Sequence, residues 1–142
     1  MTGKVLLRVR AETGNLVAIR EWIEPWACRF GADPSRIPGL MLAVEEAVRN
    51  VALHGYGGDG GDVELEMARK GNLLIVRIRD HAVVFDPLSV PDPDLSLELE
   101  ARPVGGLGIH LIKKSVDGVR HRPLPEGGNE LALLIHVTPG KN

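Results

Sequence analysis

Two polar residues stand one helical turn apart near the middle of the chain. Glu46 and Asn50 lie four positions apart within an otherwise largely apolar run. On an α-helix, residues at this spacing project from the same side, so the carboxylate and the amide would share it. A carboxylate that is partly withdrawn from water gains proton affinity and can serve as a general base. Because two polar residues on a helix are also a common structural feature, the pair alone does not assign a function.

The neighbouring glutamate has a different interpretation. Glu45 would project about 100° away from Glu46 on a helix. It precedes Arg49 by four residues, the spacing at which a carboxylate and a guanidinium pair along a helix. We therefore predict a solvated surface ion pair between Glu45 and Arg49.

Two further features could take part in binding. Asp80 ends an apolar segment and precedes the turn signal Asp86-Pro87, so it either accepts backbone hydrogen bonds in a turn or faces a ligand. A glycine-rich segment then opens an apolar helical run, where free backbone amides and the positive helix end favour phosphate. Its spacing differs from that of a G-x-x-x-x-G-K-[ST] phosphate loop. The segment comprises Gly105, Gly106, Leu107 and Gly108.

Hydrophobic spacing predicts the elements that would position these residues. We expect strands at residues 5–10, 63–68, 73–80, 119–122 and 131–137, and a helix at 16–30 in which Pro25 predicts a kink or early break. A second helix runs from about 33–35 to around 54–57, and a third from 105–108 to about 116. The long loop at 86–104 is a candidate active-site lid. This order predicts an α/β fold, a two-layer α/β sandwich with a mixed, mostly antiparallel sheet and helices on one face.

Composition narrows the class of protein. The 142 residues, 44% of them apolar, fit one domain spanning 1–142. The formal net charge of -2 argues against direct nucleic-acid binding. Cys28 is the single cysteine, which excludes an internal disulfide and fits a reducing cytosol. No apolar run approaches the ~20 residues that a membrane span needs, so we expect a cytoplasmic protein without membrane contact.

Taken together, four segments resemble a known family. Residues 45–56, 80–87, 105–109 and 127–129 are similar, in order and spacing, to the N, G1 and G2 boxes of the GHKL ATPase and kinase superfamily. The resemblance is to its short anti-sigma-factor serine kinase branch and runs from about residue 35 to the C-terminus. It implies the Bergerat ATP-binding fold, with ATP and Mg²⁺ as cofactors.

The resemblance also implies a role for each matching residue. Glu46 would be the catalytic base, Asn50 would ligate the magnesium that bridges the ATP phosphates, and Asp80 would accept a hydrogen bond from the adenine amino group. His54, near the magnesium-binding position, is expected to be a structural imidazole bonded to backbone. The backbone of the glycine-rich segment would lie against the phosphates, completing a nucleotide-binding set of Asn50, Asp80, Ala82, Gly105, Gly106, Leu107 and Gly108.

Two functions remain open at this stage. The resemblance implies an ATP-dependent protein serine/threonine kinase that phosphorylates an antagonist-type partner and can sequester a sigma factor, with a homodimer as an open alternative. Ala82 departs from the family, which usually has glycine there; its methyl group would crowd the base or disfavour a positive-φ turn. The rival is therefore a non-catalytic regulatory module that binds protein, with or without nucleotide.

Overall fold

Five strands form the sheet that supports the candidate site. In the computed structural model, which describes residues 3–89 and 106–137, they are β1 (Lys4–Arg10), β2 (Asp62–Lys70), β3 (Leu73–Asp80), β4 (Gly118–Pro123) and β5 (Asn129–His136). Their order in the sheet is β1-β2-β3-β5-β4. All four strand pairings are antiparallel. The sheet therefore lacks the minor parallel part that the sequence-based prediction of a mixed, mostly antiparallel sheet had included. The reason is that the chain crosses from β3 to the edge strand β4 and returns through a hairpin beside β3.

Three helices cover one face of this sheet, as predicted for a two-layer sandwich. They are α1 (Leu16–Arg29), α2 (Ile37–Asn50) and α3 (Gly106–Ser115). Alternate residues of the central strands meet the apolar sides of the helices in one core, because side chains alternate across a strand. No helix within the described ranges is long and apolar enough to cross a membrane. Representative fully buried side chains are Ile19, Ile23, Leu40, Val44, Leu65, Ile78, Ile112 and Leu133.

The first helix passes through Pro25 without the early break that the sequence suggested. Pro25 lies on the exposed side of α1, where a carbonyl that loses its intrahelical donor can be solvated. On the opposite side Ile23 and Ala27 are fully buried, and their packing holds the helix together. The predicted stop at Gly31 is confirmed, since this residue has a φ of +95°.

The other face of the sheet carries a row of alternating charges. Arg8, Glu64, Arg79, Glu130 and Arg122 are consecutive cross-strand partners over all five strands. The four N–O distances between neighbours in the row are 2.9, 3.2, 2.8 and 3.0 Å. Opposite charges directly across an antiparallel pair stabilise it, so ion pairs, rather than a second helical layer, complete this face.

Candidate functional site

A cavity of about 430 Å³ opens between the end of α2, the start of α3 and the ends of β3 and β5. Its walls are mainly apolar, and its polar groups converge from four different elements. This combination is typical of small-molecule sites. The apolar walls include Val51, Ile78, Val83, Phe85, Ile109 and Leu131, and the polar lining comprises Asn50, His54, Asp80, His121 and Asn129.

Asp80 is the buried acid that lines this cavity. Its side chain is buried, and its Oδ1 accepts hydrogen bonds from the backbone N–H of Ala82 at 2.9 Å and from Nδ2 of Asn129 at 3.0 Å. No hydrogen bond reaches Oδ2 from residues 3–89 or 106–137. Asp80 lines the cavity, and within the described residues no fully buried side-chain polar atom lacks a partner, so Oδ2 is open to the cavity and available to a donor on a ligand.

Glu46 and Asn50 share one side of α2, as their spacing predicted. Both face Gly108, where an added Cβ would lie 3.2 Å from Oδ1 of Asn50 and 3.5 Å from Oε2 of Glu46. A side chain at this position would fill the space between α3 and the two polar groups. Asn50 lines the cavity, whereas Glu46 is not one of its lining residues and lies beside it.

Asn129 ends the resembling segment 127–129, to which the sequence analysis gave no site role, and it is a site residue in the structure. Besides bonding Asp80, its Nδ2 donates to the carbonyl of Val83 at 3.0 Å, and its Oδ1 accepts from the N–H of Phe85 at 2.9 Å. Nε2 of His121 lies 2.8 Å from the same amide oxygen, which can only accept, so this nitrogen carries the hydrogen. The side-chain amide of Asn129 thus joins Asp80 to the segment 83–85, which lines the cavity.

The close approach of this segment to β5 depends on Gly128. The residue has a φ of +98°, and an added Cβ would lie 2.0 Å from the backbone oxygen of Asp80. Any side chain here would therefore push apart the ends of β3 and β5. The adjacent glycines 127 and 128 were the sequence signal that could have led to Asn129.

A family model described as the histidine kinase-like ATPase domain matches residues 9–135. The chain belongs to this family. Among curated relatives, the serine-protein kinase RsbW of Bacillus thuringiensis (strain Al Hakam) is 27% identical over 121 residues, covering 82% of this chain and 76% of the relative. The serine-protein kinase RsbW of Bacillus anthracis matches to the same extent.

A solved structure shares the fold. The RsbU and RsbW domains of Rv1364c from Mycobacterium tuberculosis superpose with a TM-score of 0.65 at 20% identity. The match covers 98% of this chain and 34% of the longer one. The expected histidine kinase-like fold is therefore confirmed.

In this histidine kinase-like ATPase domain, Ala82 avoids the two difficulties that the sequence raised. Every described residue with positive φ is a glycine, so Ala82 has no left-handed strain. Its side chain is buried and points towards Gly55, where an added Cβ would lie 3.0 Å from the Ala82 methyl carbon. Ala82 is also not one of the residues lining the cavity. The methyl group is thus accommodated by a glycine on the neighbouring helical segment.

The predicted ion pair of Glu45 with Arg49 forms, with 3.9 Å between Oε2 and Nη2, but the prediction that Glu45 is a solvated surface residue is wrong. Glu45 is only 4% exposed, and its carboxylate is bound by both Nε and Nη2 of Arg20, the latter at 3.1 Å. The hydrogen bond from Arg20 lowers the pKa of Glu45, although burial opposes the shift. The cause of the error is that α1 packs over this side of α2, which helical periodicity alone does not reveal. Arg49 also bonds Glu46 more closely, with 2.7 Å between Nη1 and Oε1.

The end of α2 changes its helical form beside the cavity. A π-helical segment, Val51–Gly55, follows Asn50 and places His54 and Gly55 on the wall. The His54 ring is exposed and makes no hydrogen bond within the described parts of the chain, so the expected bond to backbone is absent. Tyr56 then secures the segment: its hydroxyl donates to the carbonyl of Asp62 and accepts from the N–H of His81, both at 2.8 Å. Burial raises the pKa of this hydroxyl.

The remaining predicted positions are only partly described. The glycine-rich segment does open a helix, since α3 begins at Gly106. Gly105, the side chain of Leu107 and most of the candidate lid, residues 90–104, lie outside the described residues.

The side chains fit a nucleotide better than a metal site built from protein alone. Within the described ranges, no group of three His, Cys, Asp or Glu could hold a metal ion. Mg²⁺ commonly uses one or two protein oxygens together with substrate phosphates. The amide of Asn50 beside the opening of α3 suits that arrangement.

Proposed function

We propose that this domain binds ATP with Mg²⁺ and transfers the γ-phosphoryl group to a serine of a partner protein. The observation that carries the proposal is that buried Asp80, whose Oδ2 accepts no hydrogen bond from the described residues, lines the same mainly apolar cavity as Asn50. The adenine amino group is a donor that suits this oxygen, and the apolar walls suit the faces of the base.

The phosphates would lie between α2 and the start of α3. The N-terminus of α3 presents backbone N–H groups and the positive end of the helix dipole, both of which favour anions. When bound, Mg²⁺ would neutralise charge on the phosphates, with the amide oxygen of Asn50 as its protein ligand. Phosphoryl transfer depends mostly on such positioning and charge neutralisation.

Glu46 would bind and deprotonate the serine hydroxyl that accepts the phosphoryl group. Its Oε2 faces Gly108 at the start of α3, the side where the phosphates would lie. A serine hydroxyl hydrogen-bonded to Oε2 would attack the γ-phosphorus, lose its proton to the carboxylate and release ADP. This assigns Glu46 as the general base.

The partners are proposed by similarity. The relatives named as serine-protein kinases support a protein serine as the acceptor. We extend this to an antagonist-type protein substrate and a sigma factor in a cytoplasmic partner switch.

A nucleotide titration tests the binding step. Asp80→Asn should keep its carbonyl oxygen at the Oδ1 position, which accepts two hydrogen bonds, and place an NH₂ group where Oδ2 was. Because a donor would then face the adenine amino group, ATP affinity should fall by about tenfold or more. Asp59→Asn, at an exposed loop position, is the matched control and should bind as wild type.

The same titration with and without Mg²⁺ tests Asn50. Asn50→Ala should remove most of the gain in affinity that Mg²⁺ gives, whereas Asn72→Ala, in the exposed turn between β2 and β3, should not. Wild-type protein that binds no ATP at millimolar concentration would refute the nucleotide assignment. Tight binding of a partner without any phosphoryl transfer would favour the regulatory binding module.

A further inference from the structure

A chain of alternating charges ends at the proposed general base. Arg20 of α1 binds Glu45 of α2, and Arg49 lies between Glu45 and Glu46. Nη1 of Arg49 donates to Oε1 of Glu46 at 2.7 Å, while Nη2 lies 3.9 Å from Oε2 of Glu45. A single guanidinium therefore contacts both carboxylates.

Glu45 makes this arrangement rigid. Its side chain is only 6% exposed and is clamped by the fork of Arg20, a planar two-nitrogen contact that restricts orientation. A buried carboxylate needs compensating charge, so Glu45 attracts Arg49 as well. Arg49 is thus held from one side by a fixed anion, although 40% of its own side chain is exposed.

The two oxygens of Glu46 consequently differ. Oε1 is occupied by Arg49, whereas Oε2 faces Gly108, where an added Cβ would lie 3.5 Å from it. Without Arg49 the carboxylate could rotate and present either oxygen in several orientations. A shift of about 1 Å in a reacting group can cost a factor of about 100 in rate.

We propose that Arg49, fixed by Glu45, is a positioning residue that directs Oε2 of Glu46 to the attacking hydroxyl; this inference rests on the proposed function. The proton moves from the hydroxyl to Oε2 as the oxygen–phosphorus bond forms and the bond to the ADP oxygen breaks. Arg49 stays protonated throughout, because a guanidinium does not lose its proton in proteins. It acts through Glu46 alone.

Single-turnover hydrolysis of γ-³²P-labelled ATP tests this role with water as acceptor. The full chain is used in excess over ATP with Mg²⁺, and ATP affinity is measured in parallel. Arg49→Gln should bind ATP within about twofold of wild type but hydrolyse it roughly 10- to 100-fold more slowly. Arg49→Lys should restore part of the rate, since lysine keeps the charge but lacks the fork. Arg120→Gln, at an exposed position of β4, is the control and should match wild type.

A double variant separates positioning from a general structural effect. If Arg49 acts through Glu46, adding Arg49→Gln to Glu46→Gln should cause no further loss of rate. The inference would be overturned if Arg49→Gln lowered the rate of the Glu46→Gln variant by the same factor by which it lowers the rate of wild type. It would also be overturned if the Arg49→Gln variant hydrolysed ATP within twofold of the wild-type rate. In both cases the proposed function would stand. Wild-type protein that binds ATP but transfers no labelled phosphate, either to water or to a serine-containing partner, would overturn both.

Discussion

At the residue scale, the roles proposed for Glu46 and Asn50 on one side of α2 are separable. Asn50 lines the cavity, whereas Glu46 lies beside it with its Oε1 bound by Arg49. A metal ligand contributes to nucleotide binding, while a general base contributes to the transfer step. Variants of the two should therefore fail in different assays.

We predict that Glu46→Gln retains ATP affinity but lowers phosphoryl transfer by about 10²-fold or more, since an amide cannot accept the hydroxyl proton. The measurement compares ATP binding with transfer to a serine-containing partner, or with single-turnover hydrolysis. Glu126→Gln, in the exposed turn between β4 and β5, should behave as wild type. Equal activity of the Glu46 variant and wild type would remove Glu46 from the mechanism.

A second residue-scale prediction concerns the contact of Gly55 with Ala82. Gly55→Ala would bring two methyl carbons to 3.0 Å, and overpacking of this kind costs about 1–3 kcal/mol. We expect a corresponding loss in the free energy of unfolding, measured by urea denaturation. Combining Gly55→Ala with Ala82→Gly should recover most of it. Gly14→Ala, where an added Cβ meets open space, should be tolerated; failure of the double variant to recover stability would refute the contact.

At the element scale, the starting residue of β5 organises the end of β3 and the cavity wall. Asn129 satisfies Asp80, the carbonyl of Val83 and the N–H of Phe85. These groups belong to segments more than forty residues away in the chain, so one amide connects elements that no local sequence pattern relates.

We predict that Asn129→Ala lowers the free energy of unfolding by about 1–3 kcal/mol, because it leaves buried donors and acceptors without partners. ATP affinity should fall as well, since Asp80 loses a bond that orients it. Asn72→Ala is again the matched control. Urea unfolding and ATP titration are measured on the same samples. A lower free energy of unfolding together with wild-type ATP affinity would contradict the role of Asn129 in orienting Asp80.

At the scale of the whole molecule, the charged sheet face makes stability depend on pH. The hydrogen bond from Arg8 is the largest effect on Glu64 and lowers its pKa. Burial acts to raise the pKa of Glu130, but the bonds from Arg122 and Arg79 outweigh it and the net pKa is lowered. Both groups therefore favour the folded state in their charged form.

The sign follows from the lowered pKa values. The contribution is fully present above the unfolded-state value of about 4.3 for glutamate and is lost as pH falls through the folded-state values. We predict that the free energy of unfolding decreases with falling pH below about 5, and that Glu130→Gln weakens this dependence and lowers stability at pH 7. Urea titrations from pH 7 to 3.5, followed by the fluorescence of Trp22 and Trp26, measure both; Glu126→Gln should reproduce the wild-type curve.

Local properties of the chain were predictable from its sequence. The one-turn spacing of Glu46 and Asn50, the end of β3 at Asp80 and the glycines that open α3 depend on residues close together in the chain. Backbone geometry alone relates such residues, through the 3.6-residue turn of a helix and the alternation of a strand. The family resemblance added roles to these positions.

Contacts between residues that are far apart in the chain were decided by the tertiary structure. The burial of Glu45 depends on α1 packing over α2, and the bond of Asn129 to Asp80 depends on β5 pairing with β3. Ala82 is accommodated because Gly55 faces it across the boundary between two elements. Hydrophobic periodicity determines which side of an element is buried, but it does not determine which distant element covers that side. These contacts therefore become visible only when the packed elements bring together residues that are far apart in sequence.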